Sequence, residues 1–593
     1  MQPIRLKFSS TAIQTFFIEK TIDLLNKNTI DTHRLRLHNP KSILRELIVN
    51  GVNFIDQKAK NDDYFIASFK ETIEVLKGEN HLIEFQSLTQ SYFEKDDKKQ
   101  KYSEVDIRTM VSASRLILND NQDYIDRLFE EIQEIINRNH THKSIINVPE
   151  KDIERLNILI GYFYIELLTL GYSKFYLERF TKAVLLNPEI DFKDKLLILI
   201  NLKSKAAEKF EVVFGLYSPK SKLNGVEILD KKFTKIDKKT RARLGLKSNE
   251  DITRFLDKHK ENLLLKLEIE SRDFYAAFQN ARIQALKLLD ILHLSHSSKH
   301  IALIRQAAVI GENAPEKSKL YSNKFRIEGF YKSDAAIYEV LFKKLNSIDK
   351  NINISSETKS KIEAGVRYLR LGTEADDLNN KLLNYWIGLE FIFSKYTADS
   401  GAIKRLRRYF KYCHGLIYFK RNIQQFHTDI DKMGMKGDIP DYDDNLDYLL
   451  RESTYDIITK LNGSQLLNYR AKRYKKLLNN DKELKAILLR HIKNIEWNLT
   501  RIYSIRNEIV HSAAVKYDIA TIVSHLRYYL TFILNALIDF LIENAIDTNN
   551  DGELSIDDYL ILCEIKFESM KEKGGDMSFE NMIKIHNPTE IFY

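Results

Sequence analysis

The sequence has little proline, glycine or cysteine. Its 593 residues contain 8 prolines, 20 glycines and 2 cysteines, while Lys, Glu, Leu and Ile are abundant. Because proline and glycine interrupt helices, this balance favours helices over β-sandwiches or barrels. The two cysteines, Cys413 and Cys563, are too few for a disulfide framework or a thiolate zinc site. The length predicts about two to four domains.

The sequence also shows no stretch with the features of a targeting or membrane-spanning segment. The stretch Met1–Phe17 has no continuous apolar core after its basic residue, so we expect no signal peptide. The most apolar long run, Tyr528–Ile546, is interrupted by Asn535, Asp539 and Glu543, which favours a buried helix over a membrane span. We therefore expect a reduced, soluble and cytoplasmic protein that has no membrane partner.

The positive charge is mild overall but locally concentrated. The formal net charge is +9 at pH 7, which permits a polyanionic partner without requiring one. Three runs carry much of the basic charge: Lys231–Lys247, Lys404–Arg421 and Arg470–Lys476. The last two have Tyr or Phe among the bases, a mixture that suits phosphate contacts combined with base stacking. A solvated helix face is the alternative interpretation of each run.

Hydrophobic periodicity predicts a mainly α fold with a small mixed region. Residues 1–204 read as a helical N-terminal region, and 205–310 read as a small α+β module. Within that module, Leu263–Ser271 alternates apolar and charged residues as a half-buried strand does, and an amphipathic helix follows it. Residues 352–546 read as a helical bundle, and 547–593 as an acidic loop with a C-terminal helix.

A short motif late in the bundle, "SIRNEIVHSA", combines a guanidinium, an amide and an imidazole. Asn507 and His511 are four residues apart and share a helix face, and Arg506 is long enough to fold toward the imidazole. Arginine holds a phosphate with a forked pair of donors, and histidine transfers protons near neutral pH. Such a site cuts a phosphodiester without a metal when the RNA 2′-hydroxyl is the nucleophile. The helix is expected to bury a stripe of Ile492, Ile495, Leu499, Ile502, Ile505 and Ile509.

An arginine and a histidine at this spacing also occur by chance on an ordinary helix, so that alternative stays open. Two features favour a site. The residue after Arg506 carries an amide, and an earlier apolar helix, "LLNYWIGLEFIF", places Trp386 and Glu390 four residues apart on one face. A carboxylate on an apolar helix is costly unless it is paired. We therefore expect Glu390 to pair with a cation, and Arg506 is the candidate.

"NYWIGLEFIF", followed about 120 residues later by "RNEIVH", resembles the HEPN superfamily, in particular the Apea-like HEPN domains of bacterial anti-phage defence proteins. The resemblance covers about 352–546. It implies a metal-independent endoribonuclease with Arg506, Asn507, His511 and Glu390 at its active site, without a catalytic cofactor. It also implies an RNA substrate such as tRNA, a phage-derived trigger, and a homodimer or higher even oligomer whose motifs face each other. Some HEPN domains only bind RNA, so a non-catalytic RNA-binding or dimerisation protein is the alternative.

A second motif is the acidic stretch "DTNNDGELSIDD". It resembles the calcium loops of EF-hands and dockerins, with oxygen ligands at loop positions one, three, five, nine and twelve, a glycine at six and a backbone carbonyl at seven. Position twelve is aspartate rather than glutamate, which weakens Ca²⁺ binding or shifts it toward Mg²⁺. An acidic turn that caps a helix is the alternative. The candidate ligands are Asp547, Asn549, Asp551, Glu553, Ser555 and Asp558.

Overall fold

The structure, a computed structural model, describes residues 10–26, 38–56, 63–77, 102–217, 227–228, 231–234, 250–259, 262–293, 301–313, 317–322, 335–395, 401–461, 463–512, 519–543, 546–548, 550–572 and 577–586. The side chains of 227–228, 231–234, 511 and 512 lie outside this description. The basic run Lys231–Lys247 therefore has no described side chain. The same holds for two sequence-predicted site residues, His511 and Asn549.

The chain forms two compact units. One comprises 1–165 together with 327–593, and the other comprises 166–326. The expected mainly α class is confirmed: in the part of the chain that the structure describes, helices dominate and all the named strands lie in the second unit.

The N-terminal helices begin at residues that cap them. Thr11, Asn39 and Ser103 each accept a hydrogen bond from a backbone N–H in the first helical turn, and each forms a reciprocal capping box. These caps satisfy N–H groups that have no partner within the helix. The helices are α1 (Ala12–Leu25), α2 (Pro40–Ile55), α3 (Asp63–Leu76), α4 (Glu104–Asp120), α5 (Tyr124–Arg138) and α6 (Glu150–Thr169).

The second unit combines helices with an antiparallel sheet in the order β2-β3-β4-β1-β5-β6. The predicted strand and helix are confirmed: Leu263–Ser271 is β4, and the helix after it is α10. The central β1 pairs Val212 with Leu267 on one side and Val309 on the other. The elements are α7 (Lys174–Leu185), α8 (Phe192–Ile200), β1 (Glu208–Tyr217), β2 (Glu227–Ile228), β3 (Lys231–Thr234), α9 (Glu250–Lys258), β4 (Leu263–Ser271), α10 (Phe274–Leu292), β5 (Ala302–Gly311) and β6 (Lys319–Ser322).

Strand alternation supplies two apolar faces to this sheet. Val212 and Phe214 of β1 belong to the core that α10 covers, whereas Val213 between them packs with residues of α9. Successive side chains of a strand point to opposite faces, so a strand buried on both sides reads as a continuous apolar run. The run "FEVVFGLY" has this character.

The C-terminal part of the first unit is a bundle around one apolar helix, α18. This helix is long and apolar enough to cross a membrane, with a mean hydropathy of 1.2, but 83% of the apolar window is buried inside the protein. That burial is typical of the core helix of a soluble protein. The helices are α11 (Ala335–Lys350), α12 (Ser356–Glu374), α13 (Leu378–Phe393), α14 (Ala402–Lys432), α15 (Glu452–Lys460), α16 (Gln465–Leu478), α17 (Asp481–Ser512), α18 (Ala520–Glu543), α19 (Ile556–Lys571) and α20 (Phe579–Lys584).

The N-terminal helices pack onto this bundle through polar contacts as well as apolar ones. Glu19 of α1 accepts hydrogen bonds from the Ser464 hydroxyl and the Leu466 N–H, both at 2.8 Å, where α16 begins. Arg470 of α16 donates to Asp23 at 2.7 Å and to Asp429 at 2.9 Å. Arg470, the first residue of the basic run Arg470–Lys476, is therefore occupied by structural ion pairs and is not available to a nucleic acid.

Candidate active site

The helix α17 buries the centre of its predicted stripe. Ile495, Leu499 and Ile502 have no exposed surface. The flanking positions Ile492, Ile505 and Ile509 are half-buried. Because the last turns of α17 are less covered than its middle, the polar residues of the motif reach solvent there.

An aromatic pair sets the position of α13 against α17. Trp386 is fully buried and stacks on Tyr503, with ring centroids 5.5 Å apart and planes inclined by 25°. Gly388 permits a close approach on the opposite side, since a Cβ there would lie 2.8 Å from the Leu530 side chain and 3.2 Å from that of Tyr368. The stacked rings bring Glu390, one turn beyond Trp386, beside the motif helix.

Glu390 and Arg506 form the expected ion pair. Arg506 Nη2 lies 3.6 Å from Glu390 Oε2, and Arg506 Nη1 donates to Asn507 Oδ1 at 3.0 Å. The side chains of Arg506 and Glu390 are 22% and 29% exposed. Charge-assisted hydrogen bonds are usually about 2.7–2.9 Å long. The guanidinium is therefore loosely held and accessible, so an anionic ligand could replace Glu390 as its partner.

Tyr64 of α3 reaches the same place from the N-terminal helices. Asn507 Nδ2 donates to the Tyr64 hydroxyl at 2.8 Å, and the Tyr64 ring lies 6.1 Å from that of Tyr503. Burial, aided by Tyr503, raises the pKa of Tyr64 to about 12. The phenol therefore keeps its proton at neutral pH and remains a donor.

A second guanidinium flanks Tyr64. Arg407 of α14 pairs with Asp63 at 3.3 Å, and its charge opposes the rise in the pKa of Tyr64. Arg407 belongs to the basic run Lys404–Arg421, which the sequence marks only as a whole. Tyr64 lies 443 residues before Asn507, and no periodicity or motif connects the two. Sequence reasoning therefore missed both residues.

Of the four predicted active-site residues, the structure brings Glu390, Arg506 and Asn507 together. His511 lies in the last turn of α17, and its side chain lies outside the described residues. Its position in the helix, four residues after Asn507, is the expected one.

A buried clamp fixes α17 just before the motif. Arg501 Nε donates to Glu46 of α2 at 2.8 Å, and its Nη2 donates to Glu71 of α3. Burial would raise the pKa of Glu46, but Arg501 and His38 outweigh it and hold that pKa well below its usual range. The clamp ties two N-terminal helices to the helix that carries Arg506.

The acidic loop has a left-handed turn and caps α19. Its backbone has a positive φ at Asn550 (54°) and Gly552 (81°). Asp558, which is fully buried, accepts the Thr548 N–H at 2.9 Å and the Ser555 N–H at 2.7 Å. Burial would raise the pKa of Asp558, but the hydroxyls of Thr548 and Ser555, together with these N–H groups, outweigh burial and lower it. Its role in the structure is that of a helix cap.

Two other loop carboxylates, Asp547 and Asp551, accept N–H groups of the loop itself. Asp547 accepts from Gly552 at 2.8 Å, and Asp551 accepts from Glu553 at 2.9 Å. The described residues contain no group of three or more His, Cys, Asp or Glu side chains placed to hold a metal ion. Asn549, the ligand expected at position three, lies outside them.

Leu554, at loop position eight, makes a short parallel bridge to Ile354. Its N–H donates to the Asn353 carbonyl at 2.6 Å, and its carbonyl accepts from the Ser355 N–H at 3.1 Å. The loop is thereby fastened to the segment that begins α12.

Comparison of the chain with protein-family models, with curated protein sequences and with solved structures finds no match.

Proposed function

We propose that this protein is a metal-independent endoribonuclease whose active site is built around Arg506. The observation that supports it best is the accessible Arg506, held by a 3.6 Å ion pair to Glu390 and a 3.0 Å bond to Asn507. A guanidinium that is positioned but not saturated suits the recognition of a phosphate.

The proposed reaction is an internal displacement in RNA. The 2′-oxygen attacks the adjacent phosphorus, the bond to the 5′-oxygen breaks, and the products are a cyclic phosphate and a 5′-hydroxyl. Arg506 stabilises the charge that develops on the phosphate. His511 removes or supplies a proton, and Asn507, fixed by Tyr64 at 2.8 Å, orients the reacting groups.

The reaction requires a base and an acid, whereas each chain offers one motif histidine. A two-fold dimer, or a higher even oligomer, brings two copies of His511 to one cleft and supplies both. Light scattering at micromolar concentration is expected to report an even assembly. A strict monomer that still cleaves RNA would contradict this part of the proposal.

By its resemblance, we propose that the protein acts in the cytoplasm in anti-phage defence. Cleavage of RNA such as tRNA would arrest growth, and a phage-derived trigger would release the nuclease. In this proposal the N-terminal helices restrain the nuclease until the trigger acts. In support of it, Tyr64 of α3 contacts Asn507, and Asp63 of α3 contacts Arg407.

The alternative is a non-catalytic protein that binds RNA or dimerises through the same bundle. Incubating the purified protein with total RNA in EDTA separates the two. Cleavage by the wild type and not by His511→Ala supports the nuclease. The matched control is Arg370→Ala, which removes an exposed arginine paired with Glu374 on α12. If the control and the wild type both leave RNA intact across substrates while binding it, the alternative holds.

For the loop Asp547–Asp558 we propose a structural Ca²⁺ site, or a Mg²⁺ site because Asp558 is short. Binding would draw the carboxylates away from the loop N–H groups. Because the ion binds the folded loop and not the unfolded chain, it stabilises the folded loop by linkage. Added Ca²⁺ is expected to raise the melting temperature of the wild type but not of Asp547→Ala. RNA cleavage is expected to survive EDTA. If neither Ca²⁺ nor Mg²⁺ changes the melting temperature of the wild type, the metal-site proposal is wrong and the loop serves only to cap α19.

A further inference from the structure

A large cavity is lined by residues of both the N-terminal helices and the C-terminal bundle of the first unit. Its volume is about 1610 Å³. Residues of α5 and α6, among them Glu131 and Glu154, line one side, and residues of α16 and α17, among them Arg473 and Arg490, line the other. Pockets for single small molecules usually measure roughly 300–1,000 Å³. The cavity therefore has room for a ligand longer than one small molecule.

The acidic residues of this cavity are mostly neutralised by partners. Six of the seven carboxylates that line it form ion pairs, and Glu154 is the one for which the described residues give none. The pairs are Glu71–Arg501, Glu74–Lys77, Glu131–Arg155, Glu150–Lys476, Asp152–Arg138 and Glu483–Lys476.

Several cations of the cavity are not neutralised in this way. Lys151, Arg473, Arg490 and Lys493 are exposed to solvent, and the described part of the chain provides no ion pair for any of them. An excess of unpaired cations over unpaired carboxylates makes the cavity attractive to a polyanion.

One face of α17 carries both charge and an aromatic ring into the cavity. Arg490, Lys493, Trp497 and Arg501 follow one another at spacings of three and four residues, so they lie along the same side of the helix. Trp497 is half-buried there, which leaves part of its ring accessible. Cations beside an accessible aromatic ring are the combination with which proteins bind single strands, through phosphates and stacked bases.

We propose that this cavity binds a short single-stranded oligonucleotide. Arg473, Arg490 and Lys493 contact its phosphates, and Trp497 stacks on a base. The proposal rests on the cavity and not on cleavage at Arg506. Since a helix rises about 1.5 Å per residue, Arg490 and Arg506 are separated by roughly 24 Å along α17. The proposed phosphate contacts Arg490 and Lys493 therefore lie away from Arg506 along α17, while the cavity residue nearest to Arg506 on this helix, Arg501, is five residues from it.

The test measures binding of a 2′-O-methyl oligonucleotide, roughly eight nucleotides long and inert to 2′-hydroxyl attack, to the full-length protein. The chain has 2 tryptophans, and Trp386 is fully buried, so quenching of fluorescence reports on Trp497. The wild type is expected to bind with quenching. Trp497→Phe is expected to bind without it and roughly fivefold or more weakly.

The decisive variant replaces Arg473, Arg490 and Lys493 with alanine. The expected result is a loss of affinity of roughly tenfold or more, and a salt slope reduced by roughly 2, since each single-strand phosphate contact contributes roughly 0.7. The matched control removes three exposed lysines elsewhere, Lys350, Lys482 and Lys566, and is expected to bind as the wild type does. If the triple variant fails to fold, Arg490→Gln and Lys493→Gln singly serve the same comparison.

Three outcomes would overturn the proposal. The first is an equal loss of affinity in the cavity and control variants. The second is unchanged binding in the cavity variant, and if Arg506→Ala removes that binding, the nuclease proposal stays intact. The third is full competition by inorganic phosphate or ADP, which would assign the cavity to a small anion. Conversely, cavity-dependent binding by a protein that cuts no RNA supports this proposal and contradicts the nuclease. A 2′-deoxy strand, compared with the 2′-O-methyl strand, identifies which backbone is preferred.

Discussion

Arg501 and Arg506 lie five residues apart on α17, and their surroundings differ sharply. Arg501 is 10% exposed and is held by two carboxylates, Glu46 and Glu71. Burial lowers its pKa, but those carboxylates outweigh burial and raise it. Arg506 is 22% exposed and faces one carboxylate, Glu390, at 3.6 Å. The first arginine is paired with two carboxylates through Nε and Nη2, and only its buried Nη1 has no hydrogen-bond partner among the described residues. The second has one loose carboxylate partner and keeps accessible donors for a ligand.

The difference shows that one helix can carry both an arginine that stabilises the fold and an arginine that is available to a ligand. A buried guanidinium needs full compensation, because an unpaired charge in a protein interior is costly. A guanidinium near the surface tolerates a loose partner, because water screens the pair. The α17 sequence places the same residue type in both environments within two turns, and only the packing of α2, α3 and α13 distinguishes them.

Arg501→Ala tests the structural half of the comparison and is expected to have the largest effect. It removes the partner that the half-buried Glu46 and Glu71 share, although His38 remains beside Glu46, and should lower the free energy of unfolding by up to about 3–5 kcal/mol. Chemical denaturation monitored by circular dichroism measures this. Arg506→Ala is the matched control and should cost less than about 1 kcal/mol. Equal losses in the two variants would mean that the two arginines are not separated in role.

Arg506→Ala tests the functional half. If Arg506 stabilises the phosphate in the transition state, its removal should reduce RNA cleavage roughly 100–1,000-fold, or about 3–4 kcal/mol of activation free energy. Single-turnover cleavage of a labelled RNA is the measurement, with circular dichroism to establish folding. Lys substituted at this position should restore little, because it lacks the forked donor geometry. Wild-type rates in Arg506→Ala would refute the assignment.

Acidification tests the clamp through Glu46. A carboxyl with a lowered pKa contributes stability above its unfolded pKa of about 4.5, and that contribution is lost as the pH falls below this value. We expect the protection of α2 and α3 from hydrogen exchange to fall on acidification in this range. Glu46→Gln should show a weaker pH dependence, because its amide does not titrate. If the protection of α2 and α3 depends on pH as steeply in Glu46→Gln as in the wild type, the effect comes from other carboxyl groups.

Local chemistry in the sequence was enough to predict some of the elements and one contact of the candidate site. The alternation in Leu263–Ser271 predicted a strand with the observed bounds, and the spacing of Ile495, Leu499 and Ile502 predicted the buried face of α17. The pairing of Glu390 with Arg506 followed from a general rule, that a carboxylate on an apolar helix needs a cation. These are short-range or pairwise arguments that need no tertiary structure.

Contacts between distant segments could not be predicted in this way. Tyr64 and Arg407 reach the site from helices whose positions depend on the packing of the whole unit. Likewise the cavity is lined by residues of seven helices that are distant in the sequence, and no sequence pattern marks it. The bridge between Leu554 and Ile354 is a third case, since nothing in the loop pattern identifies the segment before α12 as the one that Leu554 contacts.

The smallest expected effect belongs to Tyr64. This residue of α3, a helix held by the Arg501 clamp, contacts Asn507 beside the accessible Arg506. Tyr64→Phe keeps the ring against Tyr503 and removes the hydroxyl that accepts from Asn507 at 2.8 Å. A single hydrogen bond of this kind contributes about 0.5–1.5 kcal/mol. Because the pKa of Tyr64 is raised to about 12, the phenol is neutral throughout the working range, and the loss should not depend on pH between 6 and 8.

If Tyr64 fixes Asn507 in its working orientation, cleavage by Tyr64→Phe should fall several-fold, roughly in line with one lost hydrogen bond. The control is Tyr338→Phe, which changes a tyrosine that is 61% exposed. The informative contrary result is faster cleavage by Tyr64→Phe. It would mean that α3 restrains the site through this bond, so that undocking the N-terminal helices, and with them the Arg501 clamp, activates Arg506. A hydrogen-exchange experiment on α3 in the same variant distinguishes a lost orientation from an opened site, because only the second exposes the α3 amides.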